Sequence, residues 1–122
     1  MVYFLNFIYF IADLIAQRIY WTDFIFGYIK SAKLDGSDVQ LITSGLTLPF
    51  GIDIYNNDIY FTDYSGKLYK QSKSPESSKI QIHSDRRISD VKVYYGPGTY
   101  NVIKLVIITL VSSFKIKVLQ IY

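Results

Sequence analysis

The chain has 122 residues, half of them hydrophobic, with twelve Tyr and no Cys. That composition excludes a disordered tail, thiol chemistry, Cys-ligated zinc and a disulfide framework, and it suits a β-rich core. The formal charge of +3 belongs to the C-terminal end, where Lys104, Lys115 and Lys117 follow residue 95 with no acid beside them; residues 18–95 are near neutral and lack the basic surface of a nucleic-acid binder.

In chain order, residues 1–7 are an uncertain N-terminal segment. They open an apolar stretch, Met1–Ala12, that has no basic n-region and so makes a poor signal peptide. Four short strands are predicted next: Phe10–Leu14, Arg18–Asp23, Tyr28–Lys33 and Val39–Thr43, with an Asp35-Gly36 turn after the third. Four more follow at Phe50–Tyr55, Asp58–Asp63, Lys67–Gln71 and Lys79–His83. Asn56-Asn57, Ser65-Gly66 and Ser74-Pro75 supply the turn chemistry between them. Asp90–Tyr94 begins another strand-like stretch. Leu105–Phe114 is an apolar run between Lys104 and Lys115. It is shorter than the roughly 20 residues a membrane-spanning helix needs, and its Val106, Ile107, Ile108, Thr109 and Val111 favour strand.

The two sets of strands are repeats. Ile19-Tyr20-Trp21-Thr22-Asp23 recurs forty positions later as Ile59-Tyr60-Phe61-Thr62-Asp63, and the same offset maps Asp13 onto Asp53 and Phe10 onto Phe50. Asp90-Val91-Lys92-Val93-Tyr94 echoes Gly51–Tyr55 as a partial third copy, with no signature strand after it. A period near forty with only short strands inside it is the mark of a β-propeller blade. Large groups on both sides of Arg18–Asp23 fit blades stacked face to face. The expected fold is all-β: two four-stranded antiparallel blades of a six-bladed propeller, with residues 8–48 as the first repeat, 49–95 as the second and 96–122 as a divergent C-terminal tail.

Tyr20-Trp21-Thr22-Asp23, with Leu34-Asp35-Gly36 and Pro49-Phe50-Gly51-Ile52-Asp53 at their spacing, resembles the low-density lipoprotein receptor class B repeat. The resemblance covers about residues 8–95, and Phe61 stands where Trp is typical. It implies a six-bladed ring on the ectodomain of a cell-surface receptor, or in a secreted matrix protein, flanked by Cys-rich modules. The partners it implies are an extracellular protein ligand, neighbouring blades and those modules. It implies no cofactor, no metal and no enzyme activity. The second unit, with His83-Ser84-Asp85, resembles the last blade before a Cys-rich module, and after Tyr95 the family pattern stops. A truncated product without its own function is one alternative; a six-bladed hydrolase is another, which would need carboxylates gathered around a metal.

The resemblance assigns Tyr20, Trp21, Thr22, Asp23, Tyr60, Phe61, Thr62, Asp63, Asp13, Asp53, Gly36 and Gly51 to structure. Asp23 and Asp63 with their neighbours would tie adjacent blades, because buried carboxylates must be hydrogen-bonded, and Trp21 would pack between blades. Gly36, Gly51 and Gly66 fall at turns or strand starts and fit no phosphate loop. His83 is the lone His, expected at an outer strand, where its titration would carry no consequence. The ligand face is expected where the loop before the innermost strand meets the turn after the signature strand, which gathers Leu48, Phe50, Phe24, Phe26 and Tyr64.

Overall fold

A computed structural model describes residues 9–94 except 76 and 87 (with backbone alone at 89 and 94), and the backbone of 103–111 and 113–121. The segment 1–7 and Gly96-Pro97-Gly98 lie outside the described residues. Every element among the described residues is a strand. The first sheet runs β1 (Phe10–Asp13), β2 (Arg18–Asp23), β3 (Tyr28–Lys33), β4 (Gln40–Thr43), in that order. The second runs β5 (Pro49–Tyr55), β6 (Asp58–Asp63), β7 (Lys67–Ser72), β8 (Ile80–Ser84). Both are antiparallel meanders, the form of a propeller blade.

The sheets pack face to face because each central strand is apolar on both sides. Tyr20, Ile29, Ile42 and Leu46 of the first blade meet Ile52, Ile59, Phe61 and Tyr69 of the second in one core cluster. The other side of β6 and β7 places Tyr60 and Leu68 against Ile88 and Val91. Alternation along a strand sends neighbouring residues to opposite faces. The second blade therefore turns its Phe61 side to the first blade and its Tyr60 side to the next sheet.

That next sheet differs from the reading of the sequence. β9 (Ile88–Tyr94) falls inside the stretch 49–95 assigned to the second blade, yet it does not join β8. It pairs with β10 (Ile103–Val111), which pairs with β11 (Ser113–Ile121), in the order β9-β10-β11. The strand that partners the third copy comes from residues 96–122, expected as a tail outside the blade pattern. Backbone pairing needs β-branched residues more than a signature motif, and Val106, Ile107 and Ile108 supply them. Among the described residues no helix is long and apolar enough to cross a membrane.

The forty-residue offset also fails over the first strand of each blade. Asp13 pairs with Arg18 around a turn at 14–17, whereas Tyr55 pairs with Asp58 around a turn at 56–57. The tighter turn uses Asn56 at φ 51°, a residue that tolerates the left-handed region. The pairing slips by two residues, and β5 carries a register shift between Pro49 and Ile52. The register partner of Trp21 is Phe10 and that of Phe61 is Ile52, so Phe50 is not the counterpart of Phe10.

Candidate functional site

Two sets of residues make up the site: the ties between blades and the edge where the loops gather. Thr22 supplies a tie. Its Oγ1 lies 3.3 Å from the Phe50 carbonyl of the second blade and accepts from the Tyr9 amide at 3.3 Å. Asp63, fully buried, accepts from the Thr47 amide of the inter-blade linker at 3.3 Å and from the Ser65 amide at 3.1 Å, and takes the Ser65 hydroxyl as well. Asp23 differs: its carboxylate accepts the Phe26 amide at 3.0 Å, within its own turn. The signature Asp in one blade thus braces a linker, and in the other a turn.

Asp13 and Asp53 both look toward the following sheet. Asp53 accepts from the Val93 amide of β9 at 2.8 Å. Asp13 accepts from the Ala16 amide at 3.1 Å and is ion-paired with Lys73 of the second blade. Burial pushes the Asp13 carboxyl up, but the Lys73 hydrogen bond and charge and the Ala16 amide outweigh it, so it sits below the usual range. Nothing in the sequence marks Lys73. Ser72 pairs with Asp58 where Lys33 pairs with Arg18, so the first-blade counterpart of Lys73 is Leu34 and no echo marks it. Gln71 and Lys79 reach the same way, to the Ile42 and Ser44 carbonyls at 2.9 and 3.2 Å.

Two glycines carry the linkers. Leu46 N donates to Gly27 O at 3.2 Å, and Asp85 N donates to Gly66 O at 2.8 Å. Both glycines have positive φ (70° and 77°), and a Cβ on either would press the linker backbone. The sequence marks Gly66 as a turn residue, and Gly27 more faintly. Its signal was a glycine following the signature Asp in both units, one residue later in the first. Gly51 lets β5 approach β9: a Cβ there would meet Thr62 Oγ1 at 2.6 Å and Asp90 Oδ1 at 2.7 Å. Gly36 sits in an open turn at φ 86°. Trp21 is half-buried, unlike Phe61, which is fully buried and stacked on Tyr69. His83 is half-buried on β8, and among the described residues its Nε2 has no hydrogen-bond partner.

Strand direction brings Tyr9, the 24–27 turn, the 44–48 linker and the 64–66 turn to one edge, stitched by Leu46–Gly27 and by Tyr64 N to Thr47 O at 2.8 Å. An aromatic row crosses both blades there. Tyr9 meets Phe50 at 6.3 Å between ring centroids, Phe50 meets Tyr64 at 5.2 Å, and Tyr64 meets Phe24 at 5.8 Å. Phe26 stacks on Tyr28 at 6.0 Å, with Lys30 Nζ 5.1 Å from the Tyr28 centroid. Phe26 and Tyr64 are each 65% exposed and Leu48 is exposed, whereas Phe50 is 8% exposed and anchors the row from below. Leu48 has φ 49°, an uncommon conformation for a non-glycine residue, immediately before Pro49. Among the described residues no three His, Cys, Asp or Glu gather to hold a metal.

Comparison with known proteins agrees with this architecture. Residues 17–55 match the family described as "Low-density lipoprotein receptor repeat class B". Mouse low-density lipoprotein receptor-related protein 5 is 38% identical over 89 residues, which covers 69% of this chain and 5% of that protein. The vitellogenin receptor Yl of Drosophila melanogaster is 28% identical over 85 residues (68% of this chain, 4% of the receptor), and mouse sortilin-related receptor is 28% identical over 82 (66% and 4%). The chain therefore spans only a small part of these receptors. Virginiamycin B lyase from Staphylococcus aureus shares the fold, with a TM-score of 0.54 at 16% identity, over 85% of this chain and 38% of the lyase. The signature strands, the stacked four-stranded blades and these matches make the chain a β-propeller segment of the low-density lipoprotein receptor class B repeat family.

Proposed function

We propose that this chain is an extracellular, ligand-binding propeller segment of a lipoprotein-receptor-like receptor, and that a protein ligand docks on the loop edge. The observation that carries this reading is the aromatic row Tyr9–Phe50–Tyr64–Phe24, which crosses both blades and leaves Tyr64 open, with Phe26 and Leu48 beside it. Rigid aromatics on a scaffold lose little entropy on binding and are common interface anchors. The receptors it resembles support a binding role over a catalytic one.

The test is a selection of extracellular proteins against the immobilised chain, followed by affinity measurement on variants. Leu48→Ala, Phe24→Ala, Phe26→Ala or Tyr64→Ala should each weaken binding, with the strongest costing about 2 kcal/mol or more. Leu14→Ala, Ile15→Ala and Leu34→Ala, on the opposite edge, should leave it unchanged. The reverse pattern would place the binding surface on the other edge.

A further inference from the structure

Asp35 is the one aspartate of the chain that a glycine follows; the other eight precede larger residues. Glycine has no side chain to shield its amide nitrogen. Asp35 and Gly36 form the tip of the β3–β4 turn, and both are exposed. Gly36 holds φ 86°, and a Cβ on it would meet nothing within 4 Å, so the space around this peptide is open. The Asp35 side chain is folded back along the chain. Its Oδ1 accepts from the Ser37 amide at 2.9 Å and from the Ser37 hydroxyl at 2.6 Å. A side-chain bond to the amide two residues on is an Asx turn, and it lays the carboxyl over the intervening peptide, the one that contains the Gly36 nitrogen. The matching connection of the second blade, between β7 and β8, carries Ser74-Pro75 instead. It offers neither a carboxyl nor an N–H at the second residue.

We propose that Asp35-Gly36 is a self-modification site at which the aspartate converts to isoaspartate, and that the conversion loosens the outer strand of the first blade. The Gly36 nitrogen attacks the carboxyl carbon of protonated Asp35. The C–N bond forms, the C–OH bond breaks, and the hydroxyl leaves as water with the nitrogen's proton. Water then adds to the main-chain carbonyl carbon of Asp35 in the cyclic imide, and the bond from that carbon to the Gly36 nitrogen breaks. Gly36 ends joined through the side-chain carbonyl, and the main-chain carboxyl of Asp35 is free. One water leaves and one enters, so the step needs no cofactor and no oxidant. Two contacts restrain its rate. Gly36 N donates to Lys33 O at 2.9 Å. The Ser37 hydroxyl and amide, with the Lys33 charge, hold the Asp35 carboxyl below the usual carboxylate range, which keeps the reactive acid form scarce at neutral pH.

The product acts on β4 because the turn is what holds that strand in place. An isoaspartyl backbone runs through Cβ and Cγ and is one atom longer. The turn is closed by Gly36 N to Lys33 O and by Lys33 N to Ser37 O, both at 2.9 Å, and the added atom falls inside that closure. Next along the chain, Asp38 is tied to Arg18 of β2 through its carboxylate at 2.7 Å and its carbonyl at 2.8 Å. Then comes β4, which pairs with β3 at three positions only. It places Ile42 in the core between the blades and the Ile42 carbonyl on Gln71. The turn lies on the edge opposite the aromatic row, so the modification stands or falls independently of ligand binding there.

The experiment incubates the folded 122-residue chain at mildly acidic pH over weeks, with strand content followed by circular dichroism. Isoaspartate is counted with protein isoaspartyl methyltransferase and a labelled methyl donor, and placed by fragmentation of the peptide that contains Asp35. It should accumulate at residue 35 through a transient species lighter by one water. Gly36→Ala, whose methyl group hinders the attacking nitrogen, and Asp35→Glu, whose imide ring forms far more slowly, should each lose most of the signal. Absence of isoaspartate at residue 35, its confinement to Asn56, Asn57 or another aspartate, or its formation at residue 35 only in urea would overturn the site. The modified fraction, separated by ion exchange, is then compared with the unmodified chain by amide hydrogen exchange. Gln40–Thr43 should exchange faster, while Asp58–Asp63 should not change. Equal exchange of Gln40–Thr43 in both forms would overturn the loosening of β4.

Discussion

Lys73 of the second blade donates to the Asp13 carboxylate of the first, joining residues sixty positions apart across the blade boundary. Both side chains are largely buried, and removing one member of such a pair strands the other charge. Lys73→Met or Asp13→Asn alone should cost about 3 kcal/mol of stability. The double variant should recover part of that loss, which a double-mutant cycle in urea would measure. The pH dependence follows from the lowered Asp13 pKa. The pair's contribution is complete above the ordinary value of 3.8 and is lost as pH falls through the lower folded-state value. In Lys73→Met that acid-side loss should flatten. A double-variant loss equal to the sum of the two single losses, with no coupling, would show that the pair contributes nothing specific.

Gly27, which carries a linker, and Gly36, in an open turn, should rank by what their missing side chains would meet. A Cβ at Gly27 would sit 2.3 Å from the Leu46 carbonyl oxygen, while one at Gly36 meets nothing within 4 Å. Both have positive φ, so each Ala substitution carries about 1–2 kcal/mol for the left-handed backbone. Gly27→Ala should cost more than that, because the linker must also move. Gly36→Ala should cost only the conformational part. Equal midpoints in thermal unfolding would mean that the Leu46 linker yields freely.

Asp90 should prove a liability. Burial raises its carboxyl pKa, the Val91 amide and Lys92 pull it back, and Asp53 adds to the rise. A carboxylate with a raised folded-state pKa binds protons more tightly when folded, so its presence lowers stability as pH climbs above 3.8. Asp90→Asn keeps an oxygen for the Val91 amide, which donates at 2.8 Å, and removes the charge. It should raise the melting temperature at neutral pH, and the advantage should shrink as the pH is lowered toward 3.8. An advantage that does not change with pH would point to packing rather than charge.

The signature strands were readable because they repeat. Tyr20–Asp23 and Tyr60–Asp63 carry the same residue types at the same spacing, and their burial on two faces follows from alternation. The partners that tie the blades were not readable, because they do not repeat. Asp13 meets a lysine side chain where Asp53 meets a backbone amide, and a backbone amide leaves no mark in sequence. The two-residue slip between β1 and β5 was hidden for a related reason. The spacing from Asp13 to Asp23 equals that from Asp53 to Asp63, so a shorter turn and a register shift cancel in the sequence and appear only in the pairing. The third sheet was half legible: β9 repeats a first strand, but β10 pairs with it without the motif that marks β2 and β6. At the loop edge the gathering of Phe24, Leu48 and Tyr64 follows from strand direction, whereas the burial of Phe50 depends on Tyr9 and Tyr64 closing over it.

Tyr60 offers a test in which a lost hydroxyl should help. Its ring is fully buried at the centre of β6, among Leu68, Ile88 and Val91. Among the described residues its hydroxyl has no hydrogen-bond partner. Burial, with smaller contributions from Asp58 and Tyr55, pushes the phenol up to about 12. An unsatisfied buried hydroxyl costs about 1–3 kcal/mol relative to one left in water. Tyr60→Phe keeps the ring and its packing and deletes the unpaired group, so it should be neutral or stabilising by about 1 kcal/mol. The alkaline limb gives a second readout. A tyrosine whose folded-state pKa is raised binds its proton more tightly when folded, so the wild-type chain should lose stability as pH rises past 10.0, the ordinary value. In Tyr60→Phe that loss should lessen. Denaturant midpoints of the two proteins at neutral and alkaline pH decide the matter: a clear destabilisation of Tyr60→Phe at neutral pH would mean that the hydroxyl is bound after all.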